Sequence, residues 1–390
     1  MRKILYLQWD CFGEEYICDS FRRQGYDVEA YPIPYGKFTL RHDEDFERKL
    51  TEKLSGKEYE FVYSFNYFPA VALATYRASC IYVSWTYDSP FMYLYSKTIM
   101  LPTNKAFCFD KATVQRLQKL GASNVQYLPM AAPTNVYDKM YSGAKERKMY
   151  TSEVSFVGSL YSESRQDFMK YLTGVSPAVS EYLNLLIHLQ MKTFDRTILE
   201  ELLKPEILRE LRQVCPLELS NDEMQTEAWM YANYFLARAV TAKERGMLLE
   251  NIAESHLVKL YTPEPTPQYS KIVNCGTVDY CNEMPYVFKN SKINLNISLK
   301  SIESGIPLRV FDIMGCGGFV ISDYQTDFDD CFIADEDYVY YTTSEDLFSK
   351  INFYLEKEDL RIRIAKNGYE KIKMYHTYDY RVKEIMGWLD

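Results

Sequence analysis

The sequence predicts an α/β protein built from two doubly wound domains, the second of which carries a helical insertion. Two observations carry this prediction: short apolar runs alternate with amphipathic segments over residues 1–130, and the same alternation resumes after residue 152. Strands separated by helices form parallel βαβ units, which assemble into doubly wound sheets. The length of 390 residues agrees with two or three domains, because one domain takes about 150 residues.

The first domain is expected to span residues 1–135. Its apolar runs are the length of strands, and turn-forming residues close several of them; Gly25, for example, ends the helical pattern of residues 14–24. The predicted strands are Lys3–Trp9, Tyr26–Ile33, Phe61–Phe65, Ile81–Trp85, Ala106–Phe109 and Val125–Leu128.

The second domain is expected over residues 152–375, after a polar linker at 136–151. Within it, residues 162–255 show only helical periodicity and are predicted to form an insertion. Residues 376–390 are predicted to form a C-terminal helix that crosses back to the first domain. The strands of this domain are predicted at Val154–Val157, His256–Tyr261, Lys292–Ile297, Gly318–Ser322 and Tyr338–Tyr341.

Composition narrows the class of protein. The net charge of −9 argues against a broad surface for nucleic acid. The longest apolar stretches are no longer than strands, so we expect no membrane span. None of the nine cysteines forms a Cys-x-x-Cys pair, which favours reduced thiols in a cytoplasmic protein and argues against a zinc site.

The stretch from Asn294 to Asp323 carries the clearest chemical signal, because it predicts a strand, a loop, a helix, a glycine stop and a second strand. Arg309 and Asp312 lie three residues apart in that helix and therefore project from one side. A helix N-terminus attracts phosphate, Arg309 would clamp a diphosphate, and Asp312 would accept the hydroxyls of a ribose. The alternative is an ion pair between the two side chains on a surface helix.

Seven segments spread over nearly the whole chain support a family resemblance. They are Phe61–Pro69 (FVYSFNYFP), Tyr82–Pro90 (YVSWTYDSP), Phe107–Lys111 (FCFDK), Tyr127–Ala131 (YLPMA), Val154–Tyr161 (VSFVGSLY), Leu308–Gly318 (LRVFDIMGCGG) and His376–Arg381 (HTYDYR). Together they resemble the CgeB-like (spore-maturation type) glycosyltransferases. The resemblance implies a GT-B architecture, in which two Rossmann-like domains face a catalytic cleft. It also implies a nucleotide-sugar donor bound by the second domain, and an acceptor hydroxyl on a protein or glycan.

By position, the resemblance places Asp312 on the donor ribose, where such enzymes usually have Glu. Many retaining relatives carry a second acidic residue eight positions earlier. Ser304 stands there in this chain, with Glu303 before it and Gly305 after it, so the stereochemical outcome stays open. These three residues are assigned to donor binding together with Arg309.

The resemblance also places Gly158 and Ser159 in the loop whose backbone N–H groups approach the donor diphosphate, where glycine permits close approach. The alternative for Gly158 is a tight turn alone. Lys300, in the loop before the helix, would neutralise a phosphate or would be a solvated loop lysine.

Acceptor-side residues are expected in the first domain, since loops at the carboxyl ends of parallel strands should face the cleft. Asp88 is the first candidate for a general base and Asp10 the second. Asn66 would hold sugar hydroxyls, and Trp85 and Tyr87 would complete the acceptor surface. The alternatives are a turn-forming Asp88 before Ser-Pro and a helix-capping Asn66.

No metal site and no cofactor beyond a UDP-, GDP- or dTDP-linked sugar are expected, because cationic groups and the helix terminus would stabilise the leaving diphosphate. The partners are therefore a nucleotide sugar and a protein or glycan acceptor, and the insertion offers a surface for a homo-oligomer.

Two rival functions remain at this point: a nucleotide-sugar epimerase of the same fold, and a catalytically silent sugar- or protein-binding module. Asp-x-Asp patterns, a weak metal signal, occur at Asp43/Asp45, Asp327/Asp329 and Asp335/Asp337.

Overall fold

The computed structural model describes residues 2–9, 11–33, 41–56, 59–194 and 196–389. These residues form two six-stranded sheets in which every neighbouring pair of strands is parallel. Helices flank both sheets. The predicted fold class, two doubly wound α/β domains with a helical insertion in the second, is confirmed.

The first sheet is formed by the amino-terminal third of the chain. Its strands are β1 (Arg2–Gln8), β2 (Tyr26–Pro32), β3 (Phe61–Phe65), β4 (Ile81–Thr86), β5 (Asn104–Cys108) and β6 (Val125–Tyr127). They lie in the order β2-β1-β3-β4-β5-β6, so the chain reverses direction across the sheet between β1 and β3. A doubly wound sheet offers a binding crevice at that reversal, outside the carboxyl ends of the strands.

The helices of this half follow the strands as expected for βαβ units. They are α1 (Glu14–Arg23), α2 (Glu44–Leu54), α3 (Pro69–Arg77) and α4 (Lys111–Lys119), followed by α5 (Thr134–Tyr137) and α6 (Ala144–Tyr150) at the passage to the second sheet. Short 3-10 turns occur at Met92–Tyr95 and Lys97–Met100.

The second sheet repeats this architecture. Its strands are β7 (Ser152–Val157), β8 (Val258–Tyr261), β9 (Val273–Asn274), β10 (Ser291–Asn296), β11 (Val320–Asp323) and β12 (Val339–Tyr341). They lie in the order β12-β11-β10-β7-β8-β9, so the reversal here is between β7 and β10. The edge strand β9 was not predicted, because two residues are too short to show an apolar pattern.

The insertion between β7 and β8 is helical, as predicted, and has its own apolar core. It contains a 3-10 turn at Met169–Leu172, α7 (Pro177–Met191), α8 (Leu199–Leu202), α9 (Pro205–Val214), α10 (Glu227–Met230), a π-helical turn at Tyr231–Leu236 and α11 (Ala237–Ala253). The last of these helices runs directly into β8.

The remaining helices cover the second sheet and then return to the first. They are α12 (Met284–Asn290), α13 (Leu308–Gly315), α14 (Phe328–Cys331), α15 (Ser344–Glu356), α16 (Glu358–Tyr375) and α17 (Tyr378–Leu389). Helix α17 packs on α1, where Asp379 accepts hydrogen bonds from Ser20 and Arg23. Among the described helices, none is both long enough and apolar enough to cross a membrane.

Asp110 joins the two halves of the molecule. It caps α4, where its Oδ1 accepts the backbone N–H of Thr113 at 2.9 Å. Its Oδ2 accepts the N–H groups of Glu303, Ser304 and Gly305 at 2.9, 3.2 and 3.2 Å, respectively. A single buried carboxylate therefore binds the loop that precedes α13 to the first half of the chain.

Candidate active site

The carboxyl ends of the two sheets face each other, and the candidate site lies between them. The Ser89 hydroxyl, in the loop after β4, donates to the Ser301 carbonyl, in the loop after β10. The rings of Phe12 and Tyr280 meet at 4.6 Å on the other side of this contact region. The candidate site therefore lies outside the carboxyl ends of the strands, where doubly wound sheets bind their ligands.

Asp88, the first candidate base, is held by Asn66. The Asn66 amide donates to Asp88 Oδ2 at 2.7 Å, and its Oδ1 accepts the backbone N–H groups of Tyr87 and Asp88 at 3.2 and 3.4 Å. The Asp88 side chain keeps exposed surface, yet protein atoms crowd it within the crevice, and this loss of hydration raises its pKa. A carboxylate that is oriented in this way and has a raised pKa is suited to accept a proton.

Asn66 itself does not face a ligand. It is 1% exposed, it adopts a φ of 57°, and its amide is used inside the protein. It is not the cap of α3 either, since Phe68 occupies the N-cap position of that helix. We therefore assign Asn66 to positioning the Asp88 loop, which corrects the expectation that it holds sugar hydroxyls.

The other acceptor-side candidates differ in their exposure. Trp85 is fully buried within β4, where its indole N–H donates to the Leu128 carbonyl at 3.2 Å, so it is a core residue and not part of an acceptor surface. Tyr87 is half-buried, with its ring against Phe65 at 5.5 Å. Asp10, the second candidate base, lies outside the described residues.

Asp312 lies on α13 and is completely buried. Its Oδ1 accepts hydrogen bonds from the hydroxyls of Tyr137 and Tyr280, both at 3.0 Å, whereas its Oδ2 has no hydrogen-bond partner. Burial raises the pKa of Asp312 to about 6, against the opposing effect of Arg309 and the two tyrosines. The carboxylate thus retains one unused acceptor in a dehydrated position.

Arg309 and Asp312 form the ion pair that was the alternative interpretation of their spacing. Arg309 Nη1 lies 3.5 Å from Asp312 Oδ2, and the guanidinium also lies over the Phe288 ring at 5.6 Å and contacts the Met284 sulfur. The side chain is about one quarter exposed. Arg309 is therefore engaged with Asp312, Phe288 and Met284, and its expected role as a clamp on a diphosphate stays a prediction.

The loop that precedes α13 is bonded to the first half of the chain rather than open to the crevice. Asp110 takes the N–H groups of Glu303, Ser304 and Gly305, and Ser304 and Gly305 are buried. Glu303 is paired with Arg116 at 2.9 Å. Because these polar groups are satisfied inside the protein, the structure assigns the three residues to the domain contact and corrects their expected role at the donor.

Polar groups of the loop after β7 are likewise hydrogen-bonded within the protein. The N–H of Gly158 donates to the Tyr261 carbonyl at 3.0 Å, and the Ser159 hydroxyl donates to Glu163 at 2.6 Å. The N–H of Leu160 donates to the same carboxylate at 2.6 Å. These bonds correct the expectation that the Gly158 N–H and the Ser159 hydroxyl face a diphosphate.

Lys300 is paired inside the protein rather than solvated as a loop lysine. Its Nζ lies 3.2 Å from Glu244 Oε2, and Glu244 is buried on α11. Both residues stand near the carboxyl ends of β10 and β11, and Lys300 lines a separate cavity of about 330 Å³ beneath the insertion. The pairing fixes the loop after β10 to α11.

A cavity of about 590 Å³ lies between the two halves of the chain, and Tyr280, which binds Asp312, is one of its lining residues. Its described lining comes from the ends of β1 and β2, the loop after β1 and the start of α1 on one side, and from residues 279–281 on the other. Its charged lining residues are Glu14, Glu15 and Asp279, and Trp9, Phe12, Tyr16 and Tyr280 supply its rings. Carboxylates beside aromatic faces suit an uncharged group rich in hydroxyls, and the volume suits a small-molecule site.

No set of three or more His, Cys, Asp or Glu side chains in the described part of the chain is arranged to hold a metal ion. The expectation of metal-independent activity stays a prediction.

Sequence reasoning missed three residues that shape this site. Tyr137 and Tyr280 reach Asp312 from 175 and 32 residues away, and Asp110 reaches Gly305 from 195 residues away. Each is an ordinary aromatic or N-cap residue locally, so no pattern in the sequence identifies it. Asp110 lies inside one of the family-like segments, and that was the only available signal.

The comparison with protein families gives one match. A family described as glycosyl transferase-like matches residues 245–387, which run from α11 to α17. No curated protein matches the chain in sequence. The matched region includes strands β8 to β12 and helix α13, which carries Asp312.

Solved structures of glycosyltransferases share the fold over essentially the whole length of both chains. The Anabaena protein Alr3699/HepE in complex with UDP-glucose is 12% identical with a TM-score of 0.55, covering 100% of this chain and 99% of that one. A glycosyltransferase from Rickettsia africae is 9% identical with a TM-score of 0.53, covering 99% and 97%. The sucrose-phosphate synthase of Thermosynechococcus elongatus is 10% identical with a TM-score of 0.53, covering 100% and 98%.

At these identities the likeness to solved structures shows the fold, and the family match shows that residues 245–387 are glycosyl transferase-like. The chain is thus a glycosyltransferase of the GT-B fold, with its glycosyl transferase-like family region at residues 245–387.

Proposed function

We propose that this glycosyltransferase takes its sugar from a nucleoside-diphosphate donor, with Asp312 accepting hydrogen bonds from hydroxyls of the donor nucleoside. The observation that carries the proposal is the state of Asp312, a fully buried carboxylate. One of its oxygens accepts no hydrogen bond and has only the ion pair with Arg309, and the other is bound by two hydroxyls. A buried carboxylate without full hydrogen bonding is costly, and a ligand diol would complete it.

Tyr280 separates Asp312 from the cavity of about 590 Å³. It lies in the segment between β9 and α12, and its ring lines the cavity while its hydroxyl binds Asp312. We propose that a donor hydroxyl replaces the Tyr280 hydroxyl when the nucleoside enters. The acidic, ring-lined character of the cavity supports a nucleoside or sugar there, and in this proposal the diphosphate binds elsewhere.

Asp88 supplies the base in this proposal. It would take the proton of the acceptor hydroxyl as the acceptor oxygen bonds to the anomeric carbon, while the bond from that carbon to the diphosphate breaks and the nucleoside diphosphate leaves with the electron pair. The support is the Asn66 hydrogen bond that orients Asp88 and the crowding that raises its pKa. Asp10 remains the second candidate from the sequence.

Finer assignments are also proposals. The Anabaena neighbour was solved with UDP and with UDP-glucose, which makes UDP-sugars the first donors to test. The seven matching segments support membership of the CgeB-like group, with a protein or glycan acceptor. All nine cysteines are free thiols, which supports a cytoplasmic location.

A thermal-shift screen of UDP-, GDP- and dTDP-sugars tests donor binding. A ligand at about a hundred times its Kd adds roughly 2.7 kcal/mol of stability, which shifts the melting temperature measurably. Product analysis on candidate acceptors then separates the activities: a new glycosidic bond supports transfer, whereas an isomerised donor without transfer indicates an epimerase. Absence of a shift with every nucleotide sugar would contradict the proposal.

A further inference from the structure

Helix α11 presents two arginines to the reversal point of the second sheet. Arg238 and Arg245 are seven residues apart, so they share one face of the helix. Both guanidinium groups lie against the ring of Tyr161, at 5.9 and 4.9 Å from its centre. Tyr161 belongs to the loop after β7, at the point where the chain direction reverses towards β10.

The burial of the Arg245 guanidinium has a structural explanation. It is buried, and its N–H groups donate to the carbonyl of Ser159 at 2.5 Å and to the carbonyl of Ile297, with Nε at 3.0 Å from the latter. These bonds tie the loop after β7 to the end of β10. The guanidinium of Arg245 is therefore used within the protein.

The position of the Arg238 guanidinium has no such structural explanation. Its guanidinium lies over the Phe168 ring at 4.1 Å and beside the Tyr234 ring at 5.8 Å, in addition to Tyr161. Its Nε is buried without a hydrogen-bond partner, and within the described ranges no carboxylate pairs with it. Aromatic faces offset part of the cost of removing a cation from water, but they do not neutralise its charge.

Tyr234 connects Arg238 with the loop that carries the proposed base. The Tyr234 hydroxyl donates to the Pro90 carbonyl at 3.1 Å and accepts the Met92 N–H at 2.8 Å. Arg238 lies against the ring of the same tyrosine, so it is one tyrosine side chain away from the loop that carries Asp88. The π-helical turn Tyr231–Leu236 just before Arg238 is a local distortion of the kind found at functional sites.

We propose that Arg238 binds the diphosphate of the donor and stabilises the charge of the leaving group. This inference rests on the proposed function, and it adds a residue from the helical insertion, outside the region matched by the family. As the bond between the anomeric carbon and the diphosphate oxygen breaks, both bonding electrons remain on that oxygen, and the Arg238 N–H groups donate to it.

The test compares a nucleoside diphosphate with its monophosphate, using UDP and UMP as probes in calorimetric titrations at fixed salt. Arg238→Met keeps the length of the side chain between the aromatic rings and removes the charge. We expect it to weaken UDP binding at least tenfold and UMP binding less than twofold. Arg238→Lys should recover part of the loss. Lys243→Ala, an exposed cation on the same helix, should bind both nucleotides as the wild type does.

The outcomes separate the inference from the proposed function. If Arg238→Met binds UDP as tightly as the wild type, the inference is overturned and the proposed donor class stands. If UDP and UMP weaken equally, or the melting temperature of the variant falls with them, Arg238 has a structural role and the inference is also overturned. If the wild type binds no nucleoside diphosphate in a UDP, GDP and dTDP panel, the proposed function itself fails.

Discussion

The Tyr280 hydroxyl donates a hydrogen bond of 3.0 Å to the Asp312 carboxylate, from the wall of a cavity of about 590 Å³. A protein hydroxyl therefore occupies one acceptor position of the only carboxylate on α13. The second tyrosine on Asp312, Tyr137, is fully buried and lies outside the cavity lining. The two tyrosines make chemically equal bonds, but only Tyr280 stands where a ligand can replace it.

Removing the Tyr280 hydroxyl should tighten donor binding. Tyr280→Phe keeps the ring contact with Phe12 and removes the bond that a donor hydroxyl has to displace. A hydrogen bond to a charged group contributes about 1.5–3 kcal/mol, so the Kd for the donor nucleotide should fall about tenfold or more. Calorimetric titration measures this Kd. The matched control, Tyr137→Phe, removes an equal bond that stays in place on binding and should not lower the Kd; an unchanged Kd in Tyr280→Phe would show that this tyrosine is not displaced.

Asp312 should weaken the folded state at neutral pH. Its pKa is raised from 3.8 to about 6 on folding, so its favourable contribution is fully present below pH 4 and is lost as the pH rises through 6. Asp312→Asn should therefore be more stable than the wild type at pH 8, by on the order of 3 kcal/mol, and the advantage should vanish near pH 4. Urea denaturation at both pH values measures the difference. A variant that is less stable at pH 8 would contradict the assignment of an ionised, underbonded carboxylate.

Asp88 should act in turnover and not in donor binding. Asp88→Asn removes the base while retaining a side chain that can bond Asn66, and should lower kcat by about a hundredfold or more with the donor Kd unchanged. Asn66→Ala should lower kcat less, because it misplaces the carboxylate without removing it. Steady-state kinetics with a separate donor titration distinguishes these effects. Turnover by Asp88→Asn at the wild-type rate would transfer the role to another residue, with Asp10 next in line.

Asp110 should contribute strongly to stability through the domain contact. Asp110→Ala leaves the N–H groups of the Glu303–Gly305 loop without an acceptor, and loss of hydrogen bonds to a buried charge costs about 2–5 kcal/mol. The control is Asp330→Ala, which removes the exposed partner of Lys111 in the same contact and should cost less than about 1 kcal/mol. Equal losses in urea denaturation would show that the Asp110 bonds are not a main stabilising feature.

Turnover should be independent of divalent metal. The proposed stabiliser of the leaving diphosphate is the Arg238 guanidinium, and no set of three or more His, Cys, Asp or Glu side chains in the described part of the chain could hold a metal ion. Activity after treatment with a chelator should match that of the untreated enzyme. Loss of activity that manganese restores would require a metal at the diphosphate.

The fold could be predicted from the sequence because buried parallel strands are continuous apolar runs with clear stops. The stretch from Thr262 to Ser291 could not, since it is rich in proline and polar residues and yet contains β9 and α12. The misassignment of Trp85 has a similar cause. The strand was predicted to end at that residue, whereas β4 continues to Thr86 and takes the indole into the core.

Site residues could be predicted from the sequence only where a polar side chain directly follows the end of a strand. Asn66 and Asp88 each follow a strand of the first sheet, and the structure brings them to 2.7 Å. The hydrogen bonds of Asp312 and of the Gly305 N–H are made with residues far away in the chain. The spacing of Arg309 and Asp312 therefore gives no information about how deeply these two side chains are buried. Arg238 lies in a helical pattern that carries no signal at all until the tertiary structure shows its missing partner.

The most direct test of the account is a calorimetric titration of the donor nucleotide into the wild type and Asp312→Asn, in parallel at pH 7.5. We predict that the wild type binds a nucleoside diphosphate and that the variant, although folded and at least as stable, binds it at least tenfold more weakly. Equal binding by the two proteins would contradict the assignment of Asp312 to the donor and with it the proposed site.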